Sequence, residues 1–352
     1  MTSLSKLFTW GCNGTASLYP GYFALVMATG IISNAMFMED HRALSDLLLL
    51  VNLVAYPTLC LLTIGRLLFF RKALWKDMID PSLVFAFFTI VAGSGVLGVG
   101  LNLRGFVAAS TGLWVASLLL WFIFLYLAFG VLAFFNFEDG ANVVHGGWLN
   151  AIVATESLVV LGVLIAPYTG EYYQSLMVIL YMFWGIGLGL YGIFITLFAY
   201  RIFFFKFEPE DVTPLLWVVM GAAAIATNAG SVLILTDSGS DFLLSLLPFL
   251  KGMTLITWAW ATWWIPILIL FGIWKHFIRR VPISYTPMLW SLVFPLGMYT
   301  VASLRLADVA GFAPLRTMSL GMIWIAFGVW VLTSFGLLGT MWKSLRLHFR
   351  SV

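Results

Sequence analysis

Ten apolar stretches long enough to cross a bilayer fall at 20 to 38, 47 to 70, 81 to 101, 105 to 135, 145 to 166, 174 to 204, 213 to 236, 243 to 274, 285 to 306 and 314 to 342. A hydrocarbon core about 30 Å thick takes about 20 helical residues. Inside lipid every backbone N–H and C=O needs an internal partner, so unbroken apolar runs of this length fold as helices. Charged residues are 9% of the 352, against about a quarter in soluble domains, which leaves no stretch for a separate soluble unit. The expected fold is all-α and integral to the membrane, a single transmembrane domain over residues 1–352.

The scarcity of polar residues also excludes function classes. His41, His145, His276 and His348 are scattered, and Cys12 and Cys60 show no metal-ligand spacing. No zinc-protease, redox or glycine-rich nucleotide motif is present. Neither an enzyme nor a cofactor or metal site is expected, and no nucleic-acid partner; the partner in view is the lipid bilayer. The segment before the first span has one basic residue, Lys6, and no apolar run of signal length, so no cleavable signal is expected.

An even number of spans puts both termini on one side. With the termini inside, 13 of the 18 Lys and Arg lie on the cytoplasmic side, from Lys6 to Arg350, leaving Arg42, Arg104, Lys251, Arg305 and Arg316 outside. That matches the positive-inside bias and places N- and C-termini in the cytoplasm, in a cell membrane (plasma or inner).

The spans alternate in character. The fourth, sixth, eighth and tenth are long and rich in Leu, Phe, Trp and Tyr, suited to tilting in lipid. The odd spans are shorter and rich in small residues, as in AGSGVLG and GAAAIATNAG, which let backbones approach or leave room for a conduit. Four of the five odd spans open on a proline followed by an aromatic or branched residue: Pro20, Pro81, Pro214 and Pro287. The other opens on His145-Gly-Gly-Trp148. This periodicity reads as five parallel helical hairpins, and the simplest closed arrangement is a quasi-fivefold ring with the short helices lining a central pore.

The ninth span is interrupted by Phe294-Pro295, where the proline frees the carbonyl of Ser291. Such a break is tolerated where protein or a water-filled cavity takes over, which makes the span a candidate pore wall; a proline kink that only shapes packing is the alternative. Aligning the odd spans on their starts puts Met27, Phe88, Ile152, Gly221 and Phe294 at one apolar level. Phe88 is thus a second candidate gate beside Phe294, with plain packing as its alternative. A turn outward come Ile31, Ala92, Glu156, Ile225 and Met298, then Asn34, Gly95, Val159, Asn228 and Val301. Glu156 is the one carboxylate at this depth, a candidate for proton coupling or selectivity, or else a structural hydrogen-bonding residue. His145, at the cytoplasmic mouth below it, is a candidate proton relay or an interfacial side chain. Arg305 overlooks the outer mouth, where it can attract anions or pair with Asp308.

Two stretches, FALVMATGIIS in the first span and SLVFPLGMYTVASLRLA in the ninth, resemble the family of the bacterial tellurite-resistance protein TehA, the fungal malic acid (C4-dicarboxylate) transporter and the slow-type anion channels of plants. The resemblance extends through the ten-span hairpin plan. It implies a pore through each subunit, a homotrimer, and a phenylalanine closing the pore, here Phe294. The expected function is transmembrane transport of small anions, either C4-dicarboxylates such as malate or inorganic anions, through this gated pore. The alternative is a proton-coupled C4-dicarboxylate carrier that uses Glu156. Tellurite resistance is suggested by the family name alone.

Overall fold

The computed structural model describes residues 3–134 and 140–350, and among them every regular element is helical. The span end expected at residue 135 lies outside the described residues. In chain order the α-helices are α1 (Ser3–Ala16), α2 (Ala24–Met38), α3 (Arg42–Phe69), α4 (Arg71–Met78), α5 (Phe88–Asn102), α6 (Val107–Phe134) and α7 (Asn150–Ile165). They continue with α8 (Tyr173–Phe204), α9 (Val218–Leu235), α10 (Asp241–Ser245), α11 (Leu247–Ile273), α12 (Trp290–Ala310) and α13 (Ala313–Arg350). Ten of the described helices are long and apolar enough to cross a membrane.

The short helices α2, α5, α7, α9 and α12 form a closed ring, each packed on the next and α12 returning to α2. Their spans are 78 to 94% buried, whereas those of α3, α6, α8, α11 and α13 are 17 to 50% buried and sheathe the ring. Small residues permit the close approach. A Cβ at Gly221 of α9 would lie 2.8 Å from Pro295 Cγ of α12, and one at Gly297 of α12 would lie 2.7 Å from Ile31 Cγ2 of α2. Between α5 and α7 the same holds for Gly95, 2.9 Å from Ser157 Oγ.

A repeated polar tie joins the two layers. Each outer helix sends an aromatic N–H or O–H to the inner helix of the following unit: Tyr56 to Ser94 (2.8 Å), Trp121 to Thr155 (2.7 Å), Trp184 to the Ala226 carbonyl (3.1 Å) and Trp258 to Ser303 (2.8 Å). Trp330 of α13 completes the circuit on Thr29 of α2 at 2.9 Å. Buried and half-buried donors facing hydrocarbon need such partners, so the ties both satisfy the Trp and Tyr groups and fix neighbouring units in register.

Every inner helix is entered through a 3-10 turn, and where the turn begins sets which side chains face the axis. Pro20, Pro214 and Pro287 sit at the first positions of their turns, where the missing N–H costs nothing. Two starts differ from the sequence expectation. Pro81 stands ahead of its turn, which runs Val84–Phe87, and the turn of the third unit runs Gly146–Leu149 with His145 as its cap. Matching turn to turn places Val91 opposite Met27 where Phe88 was expected, and Val153 in place of Ile152.

The first and last described helices, α1 and α13, meet at one end of the ring, joined by a hydrogen bond from Trp10 Nε1 to Ser344 Oγ. This end is called the terminal face below. Buried ion pairs brace it: Arg66 is 5% exposed, pairs with Asp77 at 2.7 Å and donates to the Ala16 carbonyl, tying α1, α3 and α4 together.

A candidate anion pathway along the ring axis

Two cavities open at opposite ends of the ring. At the far end a narrow cavity of about 40 Å³ is lined by all five inner helices, at positions one turn apart on each: Ile31 and Asn34, Val96 and Val99, Ser157 and Val160, Ile225 and Asn228, Met298 and Val301. Arg305 closes the set at its rim. At the terminal face a wider cavity of about 270 Å³ is lined by residues at the entry of each unit, among them Tyr19, Ser82, His145, Thr213 and Met288. No residue lines both cavities.

One turn below the far cavity lies the level of Met27, Val91, Val153, Gly221 and Phe294, which lines neither cavity. Its four side chains are 0 to 2% exposed. Phe294 is the largest of them, and its neighbour Pro295 packs on Gly221, which has no side chain to hold the two helices apart. The axis is therefore filled by apolar groups at this level, between two water-accessible ends.

The far cavity is polar in a selective way. Asn34 donates from Nδ2 to the Val96 carbonyl (3.1 Å), while its Oδ1 and that of Asn228 have no partner. Arg305 makes no hydrogen bond or ion pair among the described residues. The pairing with Asp308 that its sequence spacing allows is not the one formed: Arg316 reaches across to hold Asp308 (3.0 Å) together with Glu39 (2.8 Å). A half-buried guanidinium is thus left facing the cavity, with the nearby carboxylates engaged elsewhere.

Three residues expected on the axis, Glu156, Phe88 and Ile152, sit elsewhere, and His145 is engaged at the mouth. Glu156 does not face the axis; Ser157 takes that position, and the Glu156 carboxyl lies against Gly187 of α8, fully buried and with neither oxygen hydrogen-bonded. The start of the third unit one residue later than expected rotates α7 by about 100°, one residue's turn of a helix. Phe88 is the first residue of α5 and stacks on Phe85 and against Phe124 of α6, ring centroids 6.0 and 6.1 Å apart, so it packs the ring to its sheath. His145 lines the terminal cavity, but both its nitrogens are used: Nδ1 accepts from Gly147 N–H (3.0 Å) and Nε2 donates to the Ser82 carbonyl (2.8 Å). Burial pushes its pKa below the ordinary histidine value, consistent with a neutral capping role. Met27, Gly221, Phe294 and Pro295 lie at the constricted level, and Asn34, Asn228, Met298 and Arg305 line the far cavity; Ile152 gives way to Val153.

A sheathed ring of five small-residue helices, occluded midway and open at both ends, defines a polytopic membrane protein of the channel and transporter class. The chain belongs to the voltage-dependent anion channel family, whose profile matches residues 17–338. It is 24% identical to an uncharacterized transporter of Methanocaldococcus jannaschii over 323 residues, 89% of this chain and 91% of that protein. It is also 37% identical to an uncharacterized membrane protein of Mycobacterium tuberculosis over 139 residues, 39% of this chain and 70% of that protein. Family membership carries movement of anions across a membrane rather than an enzymatic reaction.

Proposed function

We propose that the chain conducts small anions, C4-dicarboxylates such as malate or inorganic anions, along the ring axis, and that Phe294 closes the pathway. The observation that carries this reading is the pair of axial cavities separated by the buried level of Phe294. A constriction lined by apolar groups expels water, and an ion cannot shed its hydration there, so a rotamer change of one bulky ring switches conduction. Pro295 leaves the Ser291 carbonyl without its helical partner, which softens α12 beside the gate.

The lining favours anions. Among the residues lining the far cavity there is one cation, Arg305, and no carboxylate, because Glu156 is turned away. With the basic terminal face in the cytoplasm, Arg305 stands at the outer mouth of a plasma or inner membrane protein. Three such subunits would form the homotrimer, each with its own pore. The test is flux of malate, sulfite, chloride and nitrate into liposomes containing the purified protein. Replacing Phe294 by Ala raises flux about tenfold by widening the apolar level. Unchanged flux of every anion in Phe294→Ala removes the gate from this residue.

Glu156 supports a second reading, proton-coupled carriage, because an unpartnered buried carboxyl in a membrane span is a functional candidate in its own right. The two readings separate on one measurement. Carriage requires uptake driven by a pH gradient and abolished in Glu156→Gln; conduction leaves flux following the anion gradient in that variant.

A further inference from the structure

A cavity of about 430 Å³ lies off the axis, between the end of α11 and the start of α12 at the terminal face. Its walls are apolar, with Leu268 and Gly272 on one side and Leu292 on the other. Ile269, Ile273 and Ile283 beside it are exposed, so the groove opens on the surface that lipid covers. Its rim is cationic. Lys275 and His276 line it, on the single wide π-turn Trp274–Ile278 that ends α11. Lys275 Nζ spends one N–H on the Val212 carbonyl (2.8 Å), which leaves two donors, and His276 donates from Nδ1 to the Val281 carbonyl (2.8 Å), which leaves its Nε2 an acceptor. Arg279 follows, exposed, with its guanidinium 5.3 Å from the Trp274 ring, and exposed Arg280 turns the chain in the left-handed region.

No Asp or Glu lines the groove. None occurs between Asp241 and Asp308. Of the acids ahead of Val212, Asp211 is held by Arg201 at 3.1 Å, Glu208 is paired with Lys206, and Glu210 lines the terminal cavity. A groove of this size is within the range of ligand sites, about 300–1,000 Å³. An apolar slot facing lipid with an uncompensated cationic rim at the headgroup level matches one occupant in charge and in polarity. We propose that this groove is a binding site for an anionic glycerophospholipid, its phosphate held by Lys275 with Arg279 beside it and one acyl chain lying between α11 and α12. Leu292, two residues ahead of Phe294, forms part of the wall, so the occupant rests on the first turns of α12.

The experiment is native mass spectrometry of the full chain in neutral detergent with added phosphatidylglycerol, phosphatidylcholine or inorganic phosphate. One phosphatidylglycerol is expected to remain bound under conditions that strip phosphatidylcholine. Neutralising Lys275→Gln or Arg279→Gln weakens it about fivefold each, the worth of one cation near a lipid headgroup. Gly272→Leu fills open space, since a Cβ there meets nothing within 4 Å, and is expected to displace the acyl chain while the rim stays intact. The exposed Arg279 variant leaves folding untouched should the groove variant fail. Equal retention of the two lipids, full retention in Gly272→Leu, or displacement of the lipid by inorganic phosphate alone overturns the proposal.

Discussion

His145 illustrates how the fold consumes a side chain that the sequence offers to chemistry. Its Nδ1 accepts from Gly147 N–H, which forces the proton to Nε2, where it is donated to Ser82. A second proton at Nδ1 would face a donor, and burial already holds the pKa below 6.5. The unfolded imidazole takes up a proton more readily than the folded one, so the contribution of His145 to stability is present above pH 6.5 and is lost as pH falls below it. Thermal unfolding in detergent should show the midpoint dropping between about pH 7.5 and about pH 5.5, with a smaller drop in His145→Gln. Equal slopes for the two proteins would place the acid sensitivity elsewhere. Phe294 presents the opposite case: it is an apolar side chain buried to 1% exposure.

Among the elements, the inner helices read most clearly from sequence and the ties between layers least. Length, small-residue content and the proline period of the odd spans are local properties, and they account for the ten helices, the inner and outer assignment and the closed ring. The angular setting of α5 and α7 is not local. Pro81 stands three residues before the 3-10 turn of its unit, and the third unit opens without a proline, so neither start marks the setting that turns Phe88, Ile152 and Glu156 off the axis. The units whose proline does begin the turn, α2, α9 and α12, presented the expected residues. The aromatic ties left no signal either, because a Trp bonding the next unit has the same sequence appearance as one at the lipid interface. Their worth can be measured. Trp330→Phe removes the bond that joins α13 to α2 and leaves the fully buried Thr29 hydroxyl without that partner, an expected loss of about 1 kcal/mol by thermal unfolding. Gly221→Val forces a Cβ to 2.8 Å from Pro295, and the expected loss is about 1–3 kcal/mol, larger than that of the tie. A neutral Gly221→Val would mean that α9 and α12 separate easily at the gate.

Over the whole molecule, charge is distributed so that the axis meets a cation and no acid at its narrow end. Arg316 is central to this arrangement although it does not line the cavity, because by binding Glu39 and Asp308 it leaves Arg305 with no direct ion pair, Asp308 acting on it only at a distance. Arg305 is eleven residues along α12 from Phe294, about 16 Å at 1.5 Å per residue. At an effective dielectric constant of about 20, a unit charge at that range stabilises an anion beside the gate by about 1 kcal/mol, or about fivefold in occupancy. Arg305→Gln should therefore lower anion flux into liposomes about fivefold at low ionic strength. Screening shortens to about 3 Å at 1 M salt, so the wild-type and Arg305→Gln fluxes should converge there. A steric or folding defect would persist at every salt concentration, so a loss independent of salt, or no loss at low salt, would remove Arg305 from the pathway.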